Sequence, residues 1–316
     1  MSFSFFKLIF MQIFLLCLAK VQIAFAESHS VSIMHDNNVI NGTMYIPEGY
    51  SSGIIALIIS GSGPVDRDGN VPGLTNNSLK MLAHELGKSG IASLRYDKRG
   101  VGDSISNNVD ESLLTFDLYV EDAVLWIEKL GNDKRFKRIV VIGHSDGSLV
   151  GMVASRNSLV DKFISINSSS LKADDLILMQ IKDKYPEYLD ETVSIISKIK
   201  SSDNFEVEDE FLKLIFRKEI HNFLFSWFRY DPKVEFSKLK IPSLVVHGKN
   251  DVQINFDSAV QLNSVNKLSK LVLIDNMNHI LKDSSLDQND NFSTYNNPSL
   301  PVSSLLIEEV VSFIKD

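Results

Sequence analysis

Short apolar runs alternate along this chain with longer segments whose apolar residues recur at helical spacing. The runs near residues 54–60, 92–96, 138–143, 162–167, 243–247 and 270–274 are predicted strands. Helices are predicted near residues 78–88, 116–130, 145–156, 255–264 and 303–315, and an antiparallel hairpin near residues 31–34 and 39–46. Strands that alternate with helices are typical of a parallel sheet with helices on both faces. The sequence therefore predicts an α/β fold with a mostly parallel sheet of about eight strands.

Residues 171–235 interrupt this alternation. They lie between two predicted strands, are much longer than one crossover helix needs, and carry a helical pattern throughout. We expect a helical cap insertion here. Its apolar face is predicted either to form an acyl- or aryl-binding wall or simply to pack the insertion onto the core. This face comprises Phe211, Leu214, Ile215, Phe223, Leu224, Trp227 and Phe228.

A short acidic run lies within the same interval, at Glu206, Glu208, Asp209 and Glu210. Carboxylates near the first turn of a helix are favoured by the helix dipole, so the run is typical of a solvated helix start. A weaker hypothesis is that it holds a substrate amine, as a peptidase would require.

The first 26 residues have the anatomy of a secretory signal peptide. An apolar stretch runs from Leu8 to Ala19, and Ala24-Phe25-Ala26 provides an A-x-A cleavage motif. We expect cleavage after Ala26, a mature domain of residues 27–316, and a periplasmic or secreted protein with no stable membrane insertion. An uncleaved anchor is the alternative; it is disfavoured because the apolar run is short for a membrane span and Lys20 interrupts it.

Composition narrows the functions open to the chain. Its 316 residues are 44% hydrophobic, which is enough for one large core, so a second domain is not required. The formal net charge of −8 and the lack of a basic run argue against nucleic acid or an anionic membrane surface as a partner. The single cysteine, Cys17, lies in the predicted leader, so no disulfide is expected in the mature protein.

The pentapeptide Gly143-His144-Ser145-Asp146-Gly147 matches the pattern G-x-S-x-G. It follows the apolar run Ile139-Val140-Val141-Ile142 and precedes a stretch compatible with a helix. In this context a strained strand-to-helix turn raises the serine hydroxyl above the sheet edge, where it serves as a nucleophile. The small residues at both ends let the strand and the helix approach each other. The plainer alternative is a glycine-serine turn without chemistry, which the strand–turn–helix context disfavours.

A serine nucleophile needs a base, and the base needs an orienting acid. In hydrolases built on this turn the partners follow in the order Ser, Asp/Glu, His. Asp251 lies just beyond one predicted strand and His279 just beyond the next. Because ligands bind at the carboxyl ends of parallel strands, we expect Ser145, Asp251 and His279 to meet there. The plainer alternatives are a turn aspartate and a surface histidine; Asp275 is a competing acid, disfavoured because it shares a loop with His279.

Acyl transfer also needs N–H donors for the oxyanion. One is expected from the backbone of Asp146, and the other from Ser62 in the glycine-rich loop Ser60-Gly61-Ser62-Gly63-Pro64. Gly63 is the second choice, and Pro64 has no N–H to donate. The loop lacks the spacing of the phosphate-binding motifs G-x-G-x-x-G and G-x-x-x-x-G-K-[ST], which argues against a nucleotide site.

These segments together resemble the α/β-hydrolase-fold serine hydrolases, in particular the bacterial esterase-like group related to the S33 serine aminopeptidase and dienelactone hydrolase families. The matching segments are Gly61–Pro64, Asp66–Asn70, Arg95–Ser104, Gly143–Gly147, Tyr230–Pro232, Ile241–Ile254 and His279. The resemblance covers nearly all of the chain after residue 30. It implies an α/β-hydrolase fold with Ser145 as nucleophile, His279 as base and Asp251 as acid.

The chain departs from the resembled group at one loop, and the expected roles of two other matching segments differ. The oxyanion loop opens with Ser60-Gly61 where the group commonly has His-Gly. Asp97 and Arg99 are expected to brace the loops around the nucleophile, whereas the segment Asp66-Arg67-Asp68 is expected either to contact substrate or to form internal ion pairs.

We therefore expect a secreted serine hydrolase that cleaves small carboxylic esters through an acyl-enzyme, with no metal or organic cofactor. Members of the resembled group span esterases, lipases, acyl-peptide hydrolases and cofactor-free perhydrolases, so the chemistry is better defined than the substrate. Short to medium acyl chains are expected, because the cap should limit the pocket. The alternatives are an aminopeptidase-like serine peptidase of the same fold and a non-catalytic binding protein on a hydrolase fold.

Overall fold

A computed structural model describes residues 27–105 and 110–316 of the protein. The predicted signal peptide, residues 1–26, and its Cys17 lie outside the described residues. None of the helices in the described ranges combines the length and the apolar character that crossing a membrane requires.

Eight strands form one sheet in the order β1-β2-β4-β3-β5-β6-β7-β8. They are β1 Glu27–His35, β2 Asn38–Ile46, β3 Ile54–Ile59, β4 Ala92–Tyr96, β5 Arg138–His144, β6 Val160–Ile166, β7 Ser243–Gly248 and β8 Ser269–Ile274. The β1–β2 and β2–β4 pairs are antiparallel and all the others are parallel. The predicted mostly parallel sheet of about eight strands is confirmed.

The first strand is longer than the sequence predicted. It begins at Glu27, which pairs with Ile46, rather than near residue 31. Most of β1 is exposed, so its residues show little of the apolar pattern that identifies a buried strand. Pairing along the whole length of β2 forms the strand instead.

Helices connect or follow most of the strands. They are α1 Ser78–Lys88, α2 Phe116–Gly131, α3 Gly147–Ala154, α4 Ala173–Lys184, α5 Leu189–Lys200, α6 Glu210–Phe216, α7 His221–Trp227, α8 Pro232–Ser237, α9 Asp257–Val265, α10 Gln288–Ser293 and α11 Ser304–Lys315. Short 3₁₀ turns include Glu111–Leu113 and Lys218–Ile220. The five helices predicted outside the insertion correspond to α1, α2, α3, α9 and α11, with bounds that agree within two residues.

The core lies on both faces of the sheet, as expected for strands buried on two sides. Alternate residues of β3 point to opposite faces. Ile54, Ala56 and Ile58 pack with α1 and α11. Ile55, Leu57 and Ile59 pack on the other face with α2, α3, α8 and α9. Helices thus pack on both faces of the sheet, and the sheet supports the loops at the carboxyl ends of its strands.

The segment between β6 and β7 carries the five helices α4 to α8. Its middle part has an apolar cluster of its own, which includes Ile195, Ile199, Leu212, Phe216 and Phe228. These buried side chains hold α4 to α7 together as a layered unit, which we call the helical insertion.

Candidate active site

Ser145 lies at a strained turn between β5 and α3. Its φ of +54° falls in the left-handed region, which costs a non-glycine residue of order 1 kcal/mol or more. The Ser145 N–H donates to the Ile166 carbonyl over 2.9 Å, and its own carbonyl accepts from the Ser148 N–H over 3.0 Å. Helix α3 therefore begins at Gly147 rather than at residue 145, because the turn occupies the first residues of the predicted helix.

Two glycines of the turn allow close packing, but against different neighbours. A Cβ on Gly143 would lie 2.3 Å from the Ser148 Cα, so the approach of β5 to α3 excludes a side chain there. A Cβ on Gly147 would lie 2.4 Å from the Ile59 carbonyl oxygen of β3. The predicted close approach of strand and helix thus explains the glycine at position 143. At position 147 the glycine is needed instead because β3 lies against it.

Asp251 and His279 contact each other directly. His279 Nδ1 donates to Asp251 Oδ2 over 2.7 Å, and both side chains are almost fully buried. The N–H groups of Gln253 and Ile254 donate to Asp251 Oδ1 over 2.8 and 2.9 Å and fix the carboxylate. Asp275 is exposed and pairs with Lys249. Asp251, not Asp275, is therefore the carboxylate that faces the His279 ring.

A second histidine also faces the Asp251 carboxylate. His247 Nε2 lies 3.5 Å from Asp251 Oδ2 and donates to the Ile254 carbonyl over 3.0 Å. Burial alone would raise the pKa of Asp251, but the facing His279 and the contacts from His247 and His279 outweigh it and hold the pKa well below its usual range. The carboxylate is ionised at neutral pH, which is the state that orients an imidazole and stabilises its charged form.

Two side chains, Asn167 and His144, donate to the backbone of His279. The sequence alone did not predict this role for either of them. The buried Asn167, just beyond β6, donates from Nδ2 to the carbonyls of Asn278 and His279 over 2.9 and 3.0 Å. Its Oδ1 accepts from the Gly248 N–H at the end of β7 over 2.9 Å. One amide thus joins the base-bearing loop to the strand that precedes Asp251. Its φ of +51° is one that asparagine tolerates better than most residues.

His144 brings the nucleophile turn next to His279. His144 Nε2 donates to the His279 carbonyl over 2.7 Å, and the two rings are 5.1 Å apart. Burial, reinforced by His279, lowers the pKa of His144 to about 3, so this ring is a neutral donor and not a base. Within the described residues no hydrogen bond joins the Ser145 hydroxyl to His279. Such bonds are often long until substrate binds.

The oxyanion loop lies against the nucleophile. A Cβ on Gly61 would lie 3.0 Å from the Ser145 Cβ, so only glycine permits this approach without displacement. The N–H groups of Ser62 and Asp146, the predicted oxyanion donors, make no hydrogen bond to any other described residue. The Gly63 N–H is equally free among the described residues, so both choices for the loop donor stay available.

Ser145, Ser62 and Asp146 line one cavity of about 670 Å³ whose opposite wall is the helical insertion. The wall is mostly aliphatic and aromatic, which suits an acyl or aryl group. The apolar residues that line the whole cavity include Leu114, Tyr119, Leu149, Val150, Leu171, Leu176, Ile177, Leu214, Ile215, Ile220, Phe223, Leu224, Trp227 and Ile254. Of the seven apolar residues predicted to form one face of residues 171–235, five line the cavity, whereas Phe228 lies in the apolar cluster of the insertion and Phe211 packs against that cluster.

Two carboxylates, Glu111 and Asp146, line the cavity among the described residues. Glu111 is bound through both oxygens by Arg217 Nη2 at 2.9 Å. Burial raises the pKa of Asp146 to about 7, opposed by the charge of Lys98 and by contact with Trp227. Asp146 keeps some exposed surface, which faces the cavity. Neither group is therefore an unpaired, fully charged anion that would select a cationic substrate.

The acidic run and the Asp66–Asp68 segment lie away from the cavity lining. Asp209 caps α6 by accepting from two backbone N–H groups, as a helix start requires. Arg67 pairs with Asp97 over 2.6 Å and Asp68 with Arg95 over 2.9 Å. The acidic run therefore forms a helix start, and the Asp66–Asp68 segment forms internal ion pairs.

Comparisons with known proteins agree with this architecture. The model of the serine aminopeptidase S33 family matches residues 73–170, a segment that contains Ser145 but neither Asp251 nor His279. Esterase EstD of Thermotoga maritima is 27% identical over 254 residues, which are 77% of this chain and 58% of that protein. This chain thus spans less than two thirds of the length of that curated relative.

Solved structures show the same fold. Est1E from Butyrivibrio proteoclasticus superposes with a TM-score of 0.58 at 17% identity, covering 91% of this chain and 99% of that one. An esterase of Pyrococcus furiosus gives a TM-score of 0.58 at 16% identity, covering 92% of this chain and 90% of that one. The chain has the α/β-hydrolase fold, and the resemblance found in its sequence is confirmed.

Proposed function

We propose that this protein is a serine hydrolase that cleaves small carboxylic esters through an acyl-enzyme. The observation that carries the proposal is the buried 2.7 Å hydrogen bond from His279 to Asp251, beside a serine held at φ +54°. An acid, an imidazole and a strained serine at one edge of a parallel sheet are the parts that nucleophilic acyl transfer needs. The description of a relative as an esterase supports the same activity.

In the proposed reaction, His279 Nε2 removes the proton from the Ser145 hydroxyl as the oxygen attacks the acyl carbonyl. Asp251 holds Nδ1–H and stabilises the imidazolium that forms. The N–H groups of Ser62 and Asp146 receive the oxyanion. His279 then returns its proton to the leaving alcohol, and an acyl group stays on Ser145. A water activated by His279 releases the acid by the same steps.

The helical insertion is proposed to act as the cap of this site. Its residues Leu214, Ile215, Phe223, Leu224 and Trp227 supply one wall of the cavity that holds Ser145. An apolar wall of this kind accommodates an acyl or aryl group of limited length and reduces the access of bulk water to the acyl-enzyme. The substrate class proposed is therefore esters of short to medium acids.

The peptidase alternative is less well supported at this site. The matching family model carries the name serine aminopeptidase, which keeps the hypothesis open. An aminopeptidase needs a negative group to bind the substrate amine, and the two carboxylates of the cavity are compensated, Glu111 by Arg217 and Asp146 by its raised pKa. A neutral acyl group fits these surroundings better.

Secretion is proposed on the sequence of the leader alone, with cleavage after Ala26 and a mature domain of residues 27–316. N-terminal sequencing of the protein recovered from outside the cytoplasm should begin at Glu27. A full-length N-terminus in the membrane fraction would instead support the anchor alternative.

A series of p-nitrophenyl esters of increasing chain length, compared with aminoacyl p-nitroanilides, tests the proposed function. We expect the highest kcat/KM for acyl groups of about two to eight carbons, a size that a cavity of this class accommodates. Faster cleavage of the anilides would favour the peptidase. Best rates on long-chain lipid emulsions would contradict the size limit, and a protein that neither turns over esters nor reacts with a fluorophosphonate would be a binding protein only.

A further inference from the structure

Lys98 is buried beneath the oxyanion loop, although nothing in the proposed reaction uses it. The residue is 4% exposed, and its ammonium group donates to the Ser60 hydroxyl at 2.9 Å, the Gly61 carbonyl at 2.6 Å and the Val65 carbonyl at 3.0 Å. A lysine ammonium has three N–H donors. Each therefore has an acceptor, and all three acceptors belong to the loop of residues 60–65.

The surroundings of Lys98 make this burial costly. Among the described residues no carboxylate lies within 4 Å of its ammonium, so three neutral oxygens alone compensate a buried charge. Burial lowers the pKa of Lys98 to about 8, opposed at longer range by Asp146, Asp97 and Asp66. The group remains mostly charged at neutral pH. A methionine of similar length would avoid the desolvation cost, so retention of the charge calls for a role.

The Gly61 carbonyl and the Ser62 N–H belong to one peptide group. In a trans peptide the two point in opposite directions, and the group is planar. The ammonium of Lys98 binds the Gly61 carbonyl with the shortest of its three bonds. Holding that oxygen on the Lys98 side turns the Ser62 N–H to the opposite side of the loop. Ser62 lines the same cavity as Ser145, and Gly61 packs directly against Ser145.

We propose that Lys98 is a positioning residue of the oxyanion hole, which sets the peptide plane between Gly61 and Ser62 so that its N–H faces the reacting carbonyl. The inference rests on the proposed function, because it concerns the donor assigned to Ser62. The bonds to Ser60 and Val65 hold the loop on either side of that peptide, so the geometry is fixed before substrate arrives. Such preorganised donors contribute most when they need not reorient during the reaction.

The charge of Lys98 adds a second effect on the same peptide. A cation at the carbonyl oxygen polarises the amide, which makes its N–H a stronger donor. The effect grows as negative charge develops on the substrate oxygen, so it stabilises the transition state more than bound substrate. Removal of Lys98 should therefore lower kcat while leaving KM nearly unchanged.

The variant Lys98→Met tests this proposal, because it keeps the length and apolar stem of the side chain and removes the donor. Complete loss of one oxyanion donor costs about 10²–10³ in kcat, so a misplaced one should cost about 10–100-fold. Affinity for an alkyl boronic acid, which forms a tetrahedral adduct on serine, should fall by the same factor. Affinity for the carboxylic acid product, which forms no such adduct, should change by less than about twofold.

Lys162→Met provides the matched control. The Lys162 ammonium likewise donates to a backbone carbonyl, that of Phe313, at 2.7 Å, but it lies on β6 away from the cavity. We expect kcat and boronate affinity within about twofold of the unmodified protein. Should Lys98→Met fail to fold, Lys98→Gln, which keeps an N–H donor without charge, gives the same comparison.

Wild-type kcat in the Lys98 variant, or a loss of kcat with unchanged boronate affinity, would overturn the positioning role. An equal loss in Lys162→Met would overturn it as well, because the effect would then be a general one of lysine removal. Failure of the proposed function would look different: the unmodified protein itself would neither turn over esters nor bind the boronate.

Discussion

Alanine in place of Ser145 is expected to lower kcat for p-nitrophenyl butyrate by about 10⁴–10⁶-fold, the range seen when a serine nucleophile is removed. The oxyanion donors and the cavity remain in this variant, so a small residual rate from binding and charge stabilisation should persist. The protein should fold normally, because alanine removes only a hydroxyl that makes no hydrogen bond within the described residues. Initial rates and a thermal melt of both proteins check the two expectations.

Ser237→Ala is the control for this substitution. The Ser237 hydroxyl is exposed at the end of α8 and donates to the Val234 carbonyl, and neither residue lines the cavity. Its kcat should stay within about twofold of the unmodified value, since exposed substitutions of this kind act weakly on structure. Undiminished turnover in purified Ser145→Ala protein would show that the nucleophile lies elsewhere.

Asp251→Asn is expected to lower kcat by about 10⁴-fold with little change in fold, as the equivalent change does in serine proteases. An amide cannot stabilise the imidazolium of His279, and its NH₂ group opposes the ring tautomer that keeps Nε2 free to accept a proton. The side-chain oxygen of asparagine can still accept from the Gln253 and Ile254 N–H groups, so the loop should keep its conformation. The measurement is kcat across pH, with circular dichroism as the check on folding.

Asp275→Asn gives the matched comparison, because it makes the same chemical change four residues before His279. Asp275 is exposed and forms a surface pair with Lys249, which contributes little to stability. We expect its kcat to remain within about twofold of the unmodified protein. A large loss in Asp275→Asn together with a small loss in Asp251→Asn would reverse the assignment of the acid.

Most of the strands and five of the helices outside the insertion were predictable from sequence, whereas the start of β1 and the short helix α10 were not. Apolar periodicity is a local signal, so β3 to β8 and α1 to α3 can be read from neighbouring residues alone. The expectation that Ser145, Asp251 and His279 meet rests on a general rule, because parallel strands present their carboxyl ends at one edge. The contact between Asp251 and His279 agrees with this expectation. No feature of the intervening sequence is needed to expect that they meet.

The side chains that hold the site together were not predictable in the same way. Asn167 bonds to residues more than 80 positions away, and Lys98 to a loop more than 30 positions earlier. Such contacts depend on which elements become neighbours, and the residue types carry no local pattern. The one local sign was at Asn167, an asparagine directly after a buried strand, where a left-handed φ is easily adopted.

The most direct test of the proposed mechanism is a crystal structure of the protein after reaction with a fluorophosphonate. We expect a phosphonyl group on Ser145 Oγ, with His279 Nε2 within about 3.2 Å of that oxygen and the phosphonyl oxygen bound by the N–H groups of Ser62 and Asp146. An adduct on another residue, or an imidazole of His279 directed away from a modified Ser145, would contradict it.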